Sequence, residues 1–426
     1  MHGGHQAPVG KGCDSHVGGK LTALGGFFSN ADFDFEARIA LGATASGVGD
    51  VGLVLAILDK ITDGDPQSWF DAWTATAADL AGRSEQALGR GHLATASWAF
   101  LGAAEYYIKA LVFVDGLADQ SVLLPTFREH RSCWEKVVDT SGGNFVRVQV
   151  PYEGTTLPGY LLRPDATSAP RPTLVVTNGS DGSLPGLLGY GGTEALARGW
   201  NVFLYDGPGQ QSMLFERGVP FRYDWEAVLT PVIDTLVTRP DVDAAALTGY
   251  GISQGGYWIA RALAFEHRLV AAVADPGQVD VSTGWTSQLP KALLDLLDSG
   301  QKDAFNAALA QAQTKTGPKA ARRFAFRAKP YGQTDPFDLF TEVRKYQVRD
   351  VAAQITTPLL ITDPDNEQFF PGQSRQLFNL LAGDKEIVEF TQAQGANFHC
   401  QPTGRQLTHT QMLDFLADHM TDRSLS

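Results

Sequence analysis

The sequence predicts an α/β protein in which a mostly parallel sheet is covered by helices, preceded by a helical domain and interrupted by a helical lid insertion. Three observations carry that prediction. Residues from about Leu21 to Thr140 hold several helical patterns and no convincing alternating strand. After Ser141-Gly142-Gly143, short continuous apolar runs alternate with helical stretches, as strands buried on both faces of a parallel sheet do. Between Asp280 and about Gln347 only helical text occurs.

The 426 residues therefore divide into a flexible arm (1–20), a helical domain (21–140), a first part of the α/β core (141–279), a helical lid (280–347) and a second part of the core (348–426). The arm, MHGGHQAPVGKGCDSHVGGK, has no apolar core of a secretory signal and is set aside. In the helical domain, Asp65 followed by Pro66 is an N-cap with a first-turn proline, opening a helix that carries Trp69, Phe70 and Trp73. Further on, Trp98, Leu101, Ile108 and Val112 share one helical face and Phe100, Ala104, Tyr107 and Leu111 another, so other elements must cover this helix. Leu93 to Val114 is long enough to span a bilayer, but Glu105 and Lys109 stand i,i+4 as a helix-surface pair, which argues for a buried helix of a soluble protein.

The core opens with Phe145-Val-Arg-Val-Gln-Val, which alternates with period two, and Tyr160-Leu-Leu, an antiparallel pair. Six further strand candidates follow at Thr173–Thr177, Asn201–Tyr205, Ala244–Tyr250, Val270–Ala274, Pro358–Thr362 and Glu386–Phe390. Within the insertion, Leu289 to Leu297 and Asp303 to Ala312 read as helices lying over one end of the sheet.

Composition narrows the function. With 43% hydrophobic and 19% charged residues the chain supports a folded core, which excludes disorder for its bulk. Lys and Arg number 34 against 47 Asp and Glu, a net charge of −13 that repels nucleic acid and anionic membranes. A small molecule is the expected partner, and a homodimer is one arrangement the sequence leaves open. Cys13, Cys133 and Cys400 are far apart and form no CxxC pair, so neither a disulfide framework nor a zinc site is expected and a cytoplasmic setting fits.

The chemistry centres on Gly251-Ile252-Ser253-Gln254-Gly255, a GxSxG run between a strand candidate and the helix-forming stretch from Tyr257. Such a run places a serine in a strained turn above the sheet, where side chains at 251 or 255 would collide with neighbouring backbone. A dinucleotide fingerprint beginning at Gly249 and Gly251 fails because Gln254 stands where the third glycine belongs, and no phosphate-binding loop is present. No cofactor or metal is expected. Ser253 needs a base, and of the nine histidines only His399 follows the final strand in a glycine-containing loop. The acid should follow Pro358–Thr362. Glu367, nine residues after Pro358 and four before Pro371, is preferred, with Asp365 next and Asp363 too near the strand end. Two donors must face a developing oxyanion: the amide of Gln254 is one, and the amide of Ser180, in preference to that of Asp181, is the other.

The order of NGSDG at Asn178, YDGPGQ at Tyr205, GYGISQGG at Gly249 and GANFHC at Gly395 resembles α/β-hydrolases, specifically the FrsA-like group with its helical N-terminal domain. Dihydroxypseudooxynicotine hydrolase and the fungal heptaketide-shortening hydrolases belong to that group. The likeness spans roughly Gly91 to the C-terminus, GHLATASWAFLGAAEYY resembling the helical segment. It implies an α/β-hydrolase fold, a Ser-His-acid triad and helices that help close the pocket, in a group whose studied members cleave a carbon–carbon bond beside a ketone. DPDNEQFFPG departs from the usual glycine-then-aspartate acid loop, so the acid stays open between Glu367, Asp365 and Asp363. Trp98, Tyr106, Tyr107 and Trp285 are candidate pocket walls, with Asp181 beside them, although aromatic residues of this kind more often form core. Three readings result: hydrolysis of a ketone-activated carbon–carbon bond in an aromatic or polyketide-like substrate, hydrolysis of an ester or amide, and a binding protein without turnover.

Overall fold

The apolar runs after Ser141 become strands because they can be buried on both faces. In the computed structural model, which describes residues 26–314 and 317–422, they form one eight-stranded sheet. Its strands are β1 (Phe145–Tyr152), β2 (Thr155–Leu162), β3 (Arg171–Thr177), β4 (Asn201–Tyr205), β5 (Val242–Ile252), β6 (Ala271–Asp275), β7 (Leu359–Pro364) and β8 (Lys385–Phe390), in the order β1-β2-β4-β3-β5-β6-β7-β8. β1, β2 and β4 pair antiparallel and every later pairing is parallel. The predicted fold class holds. The chain runs outward from β3 to β4 and then returns to the other side of β3 as β5. That reversal opens a crevice at the carboxyl ends of β3 and β5, where ligands of open α/β sheets bind.

Alternation along each strand divides the interior. Leu174 and Val176 of β3 face a core shared with the helical domain, while Val175 faces one shared with helix Gly255–Leu263 and the insertion. The helical domain consists of α1 (Ala31–Ala43), α2 (Val51–Leu58), α3 (Pro66–Gly89), α4 (Leu93–Ala110) and α5 (Leu123–Thr140). Asp65 caps α3 through the Gln67 amide, with Pro66 in the first turn. Trp69 and Trp73 on α3 belong to the same apolar cluster as Leu204 and Tyr250 of the sheet, so these helices share their main core with it, and Ile108, Leu111, Val114, Leu117 and Phe127 add a small cluster of their own.

The structure corrects the reading of α4. Trp98 is 44% exposed, because α4 is buried only beyond its first turns. Glu105 and Lys109 are not a surface pair: they are 3% and 8% exposed. Lys109 Nζ instead meets Glu36 of α1 at 3.1 Å, and Glu105 accepts a hydrogen bond from Ser183 at 3.2 Å. Burial raises the Glu105 pKa, and although burial opposes it, Glu36 and Glu105 hold Lys109 above its ordinary value. The spacing was visible in sequence, but the covering of that face by α1 and the Ser183 turn was not. Among the described residues no helix is long and apolar enough to cross a membrane.

In the insertion, helices Lys291–Asp298, Lys302–Thr314, Gly317–Ala328 and Pro336–Val343 follow one another, and Ala328, Tyr331, Leu339 and Val343 join the core that Val175 faces. Leu293, Leu297, Phe305, Leu309 and Phe340 make its own small core. A single antiparallel bridge between Asp280 and Gln347 ties its two ends together. The arm at 1–20, with Cys13, lies outside the described residues.

Candidate active site

β5 ends at Ile252 and the next helix begins at Gly255, leaving Ser253 in a sharp turn with φ of 54°. A non-glycine residue in that left-handed region is strained and needs its surroundings to hold it. The Ser253 amide is held by the carbonyl of Asp275 at 2.7 Å. The two glycines have the role the motif implies. A Cβ at 251 would lie 2.1 Å from the Gly255 carbonyl oxygen, and one at 255 would lie 2.4 Å from that of Thr177.

Above this turn His399 Nε2 lies 2.9 Å from Ser253 Oγ, and His399 Nδ1 lies 2.8 Å from both carboxylate oxygens of Glu367. Acid loop and histidine loop are brought together by a parallel bridge between Asn366 and Phe398, in which the Asn366 amide donates to the Asn397 carbonyl at 2.8 Å. The amides of Phe369 and Phe370 donate to Glu367 Oε1 at 2.9 and 3.0 Å. Burial works to raise the Glu367 pKa, but His399 and these two amides outweigh it and hold the carboxyl below its usual value. A hydroxyl, an imidazole and an ionised carboxylate in this order can pass a proton from oxygen to ring and stabilise the resulting imidazolium.

The rival acids are elsewhere. β7 runs on to Pro364, beyond the Thr362 expected from sequence, so Asp363 is still in the strand and pairs with Arg375 at 2.9 Å. Asp365 is exposed, and its amide binds the Phe390 carbonyl at the end of β8. Asp365 is therefore removed as a partner of His399.

The loop after β3 passes directly over the serine: a Cβ on Gly179 would stand 2.8 Å from Ser253 Cβ and 3.3 Å from its Oγ. Asn178 closes the loop on itself, accepting from the Gly179 amide at 2.8 Å and donating to the Gly182 carbonyl at 2.6 Å. Gln210 then staples it from β4's side, donating to the carbonyls of Asn178 at 2.8 Å and Gly179 at 3.1 Å while accepting from Gly207. Sequence reading used YDGPGQ only as a mark of resemblance; its glutamine orders the loop that carries the Ser180 amide. The Ser180 hydroxyl donates to Asp181, which lies exposed at the rim with its carbonyl held by Gln211 at 3.2 Å.

No known family model matches the chain. It is 27% identical over 405 residues to the hydrolase LUC6 of Fusarium sp., covering 91% of this chain and 96% of that protein. The 20-hydroxy-prefusarin hydrolase FUS2 of Gibberella moniliformis is 28% identical, with 80% and 84% covered. The solved 2,6-dihydroxy-pseudo-oxynicotine hydrolase superposes with a TM-score of 0.67 at 19% identity, over 89% of this chain and 95% of that one, and AbyA5 with 0.60 at 17%, over 85% and 88%. The fold is that of the α/β hydrolases, and the sequence relatives are named hydrolases.

The fold places the other candidate residues unevenly. Trp285 of the insertion packs edge-on against Tyr331 at 5.5 Å, and the Tyr331 hydroxyl approaches Gln254 Oε1 at 3.4 Å, so this part of the insertion reaches the residue after the serine. Tyr106 and Tyr107 belong instead to the buried core of the helical domain. Tyr106 packs 5.3 Å from Trp73 and its hydroxyl accepts from the Asp50 amide at 3.0 Å, so it faces the helices and is no pocket wall. The aromatic rings that do surround His399 were missed: Phe369 at 4.8 Å, Phe370 at 6.2 Å and Phe35 of α1 at 6.4 Å. The FF pair beside Glu367 was a readable signal. Phe35 had none, since only tertiary packing brings α1 to the histidine loop.

Proposed function

We propose that the enzyme uses Ser253 as a nucleophile to hydrolyse a ketone-activated carbon–carbon bond in an aromatic or polyketide-like substrate. The observation that carries the reading is the continuous contact from Ser253 Oγ through His399 to Glu367, each link under 3 Å. His399 takes the hydroxyl proton as Oγ attacks the ketone carbon, and the carbonyl electron pair moves onto oxygen. The amides of Gln254 and Ser180 face that oxygen, and one such donor is worth about 3 to 4 kcal/mol in the transition state. On collapse the carbon–carbon bond breaks with its electron pair leaving as an enolate, which the His399 imidazolium protonates. Water then loses a proton to His399, attacks the acyl-enzyme and releases a carboxylic acid. Phe35, Phe369 and Phe370 offer an apolar surround for such a substrate. A homologue named a 20-hydroxy-prefusarin hydrolase and a fold neighbour named a 2,6-dihydroxy-pseudo-oxynicotine hydrolase support this reading.

The same machinery would cleave an ester or amide, so the experiment compares a β-diketone with an aryl ester. Mass spectrometry should show the diketone split into an acid and a ketone by wild type and not by Ser253→Ala. Turnover of the ester with the diketone left intact would replace the carbon–carbon reading by an esterase. A fluorophosphonate that fails to label wild type at Ser253 would overturn the serine mechanism itself.

A further inference from the structure

We propose that the buried Asp275–Arg405 pair is a positioning device, one carboxylate and one guanidinium that hold the stations of Ser253, His399 and the Glu367 strand in register. The proposal rests on the reading that Ser253 and His399 perform the chemistry.

Asp275 is the last residue of β6 and wholly buried. Its carbonyl receives the Ser253 amide at 2.7 Å and the Cys400 thiol at 3.2 Å. Its carboxylate receives the Thr362 hydroxyl of β7 at 2.6 Å, the Tyr250 hydroxyl of β5 at 2.7 Å and Arg405 Nη1 at 3.1 Å. Arg405, in helix Arg405–Asp422, also donates to the Cys400 carbonyl at 2.6 Å, to Tyr250 Oη at 3.0 Å and from Nε to His409 Nε2 at 3.2 Å.

Each tie ends close to a reacting side chain. Tyr250 lies on β5 three residues before Ser253, Thr362 lies on the strand leading to Glu367, and Cys400 adjoins His399. Cys400 and Gln401 have φ of 56° and 44°, a left-handed pair unfavourable for residues with a side chain. That backbone turns the chain back immediately after the histidine, and Arg405 and Asp275 grip it from both of its polar ends. Apolar residues could fill such a space at no loss of stability, since a buried ion pair is seldom a net gain. What apolar residues cannot supply is a fork that fixes a strand end, a second strand and a loop carbonyl at once.

The test uses Arg405→Lys, which keeps the charge and loses the fork, and Thr362→Val, which keeps the ion pair and cuts the β7 tie. Fluorophosphonate labelling rates, kcat and KM on an aryl ester, and thermal melting are measured beside wild type and Ser253→Ala. Arg405→Lys should label about 100-fold more slowly, with kcat reduced alike and KM changed by less than about threefold. Thr362→Val should lose about 10-fold in the same sense. Folded variants that label at the wild-type rate, or that lose only through KM, would overturn the proposal. If Arg405→Lys does not fold, Thr362→Val decides by the same criterion. Wild type left unlabelled would overturn the serine chemistry first, and the positioning role with it.

Discussion

Replacing Glu367 by Gln should cost about 10³ to 10⁴ in kcat, and the reason lies in two backbone amides. In the native loop the amides of Phe369 and Phe370 both donate to Oε1 of Glu367, at 2.9 and 3.0 Å. A glutamine in the same place must keep its oxygen towards those donors, so its NH2 group turns towards His399 Nδ1. That nitrogen can then only accept, the ring proton moves to Nε2, and Nε2 becomes a donor to Ser253 Oγ instead of its base. The imidazolium that forms during attack also loses the carboxylate now 2.8 Å away. A loss of 10³ to 10⁴ corresponds to about 4 to 5.5 kcal/mol of transition-state stabilisation, with KM little changed because the carboxylate touches the ring and not the substrate. Initial rates and fluorophosphonate labelling of Glu367→Gln and Asp365→Asn measure this. Asp365→Asn should stay within about twofold of wild type, since that side chain is exposed and apart from His399. Glu367→Gln retaining activity within tenfold of wild type, or Asp365→Asn losing as much as Glu367→Gln, would refute the argument.

Three other outcomes follow from particular contacts. Gly251→Ala drives a methyl to 2.1 Å from the Gly255 carbonyl, so melting should fall by the equivalent of about 1 to 3 kcal/mol and Ser253 labelling should be lost; a fully labelled, equally stable variant would contradict it. Lys109→Ala leaves Glu36 and Glu105 without their buried cation and should cost about 3 to 5 kcal/mol in urea unfolding, whereas Lys291→Ala, from an ion pair whose lysine is 84% exposed, should change stability by less than about 0.5 kcal/mol. His130 is pushed by burial, with Arg131 adding to it, to a pKa of about 3. Its folded pKa lies below the unfolded value of about 6.5, so the unfolded chain takes the extra proton and stability falls by up to about 1.4 kcal/mol per pH unit below about 6.5. Between pH 7 and pH 5 wild type should therefore lose about 2 kcal/mol more than His130→Gln, and equal losses would show that His130 does not titrate on unfolding.

The eight strands were legible because each is a short apolar run bounded by turns, and the serine turn because its glycines and its strand-to-helix setting lie within a dozen residues. His399 was legible by elimination, as the one histidine in a loop after the last strand. The acid was harder: Asp363, Asp365 and Glu367 crowd one loop, and which of them meets the ring depends on where β7 stops. The strand continues through Pro364, which keeps Asp363 within β7 and ties Asp365 to the end of β8, leaving the longer Glu367 to reach back.

Local order along the chain thus determined the α/β sheet, the turn at Ser253 and the small set of groups able to serve it. Distances between segments were decided by tertiary packing alone. Glu105 and Lys109 looked like a surface pair until α1 and the Ser183 turn covered them. Phe35 came to His399 from more than 300 residues away in sequence, and Asp275 and Arg405, 130 residues apart, met beneath the site. A linear pattern records what each residue offers its near neighbours; which buried charge finds which partner is settled only when the layers close and water is excluded, because there an unpaired ion is too costly to persist.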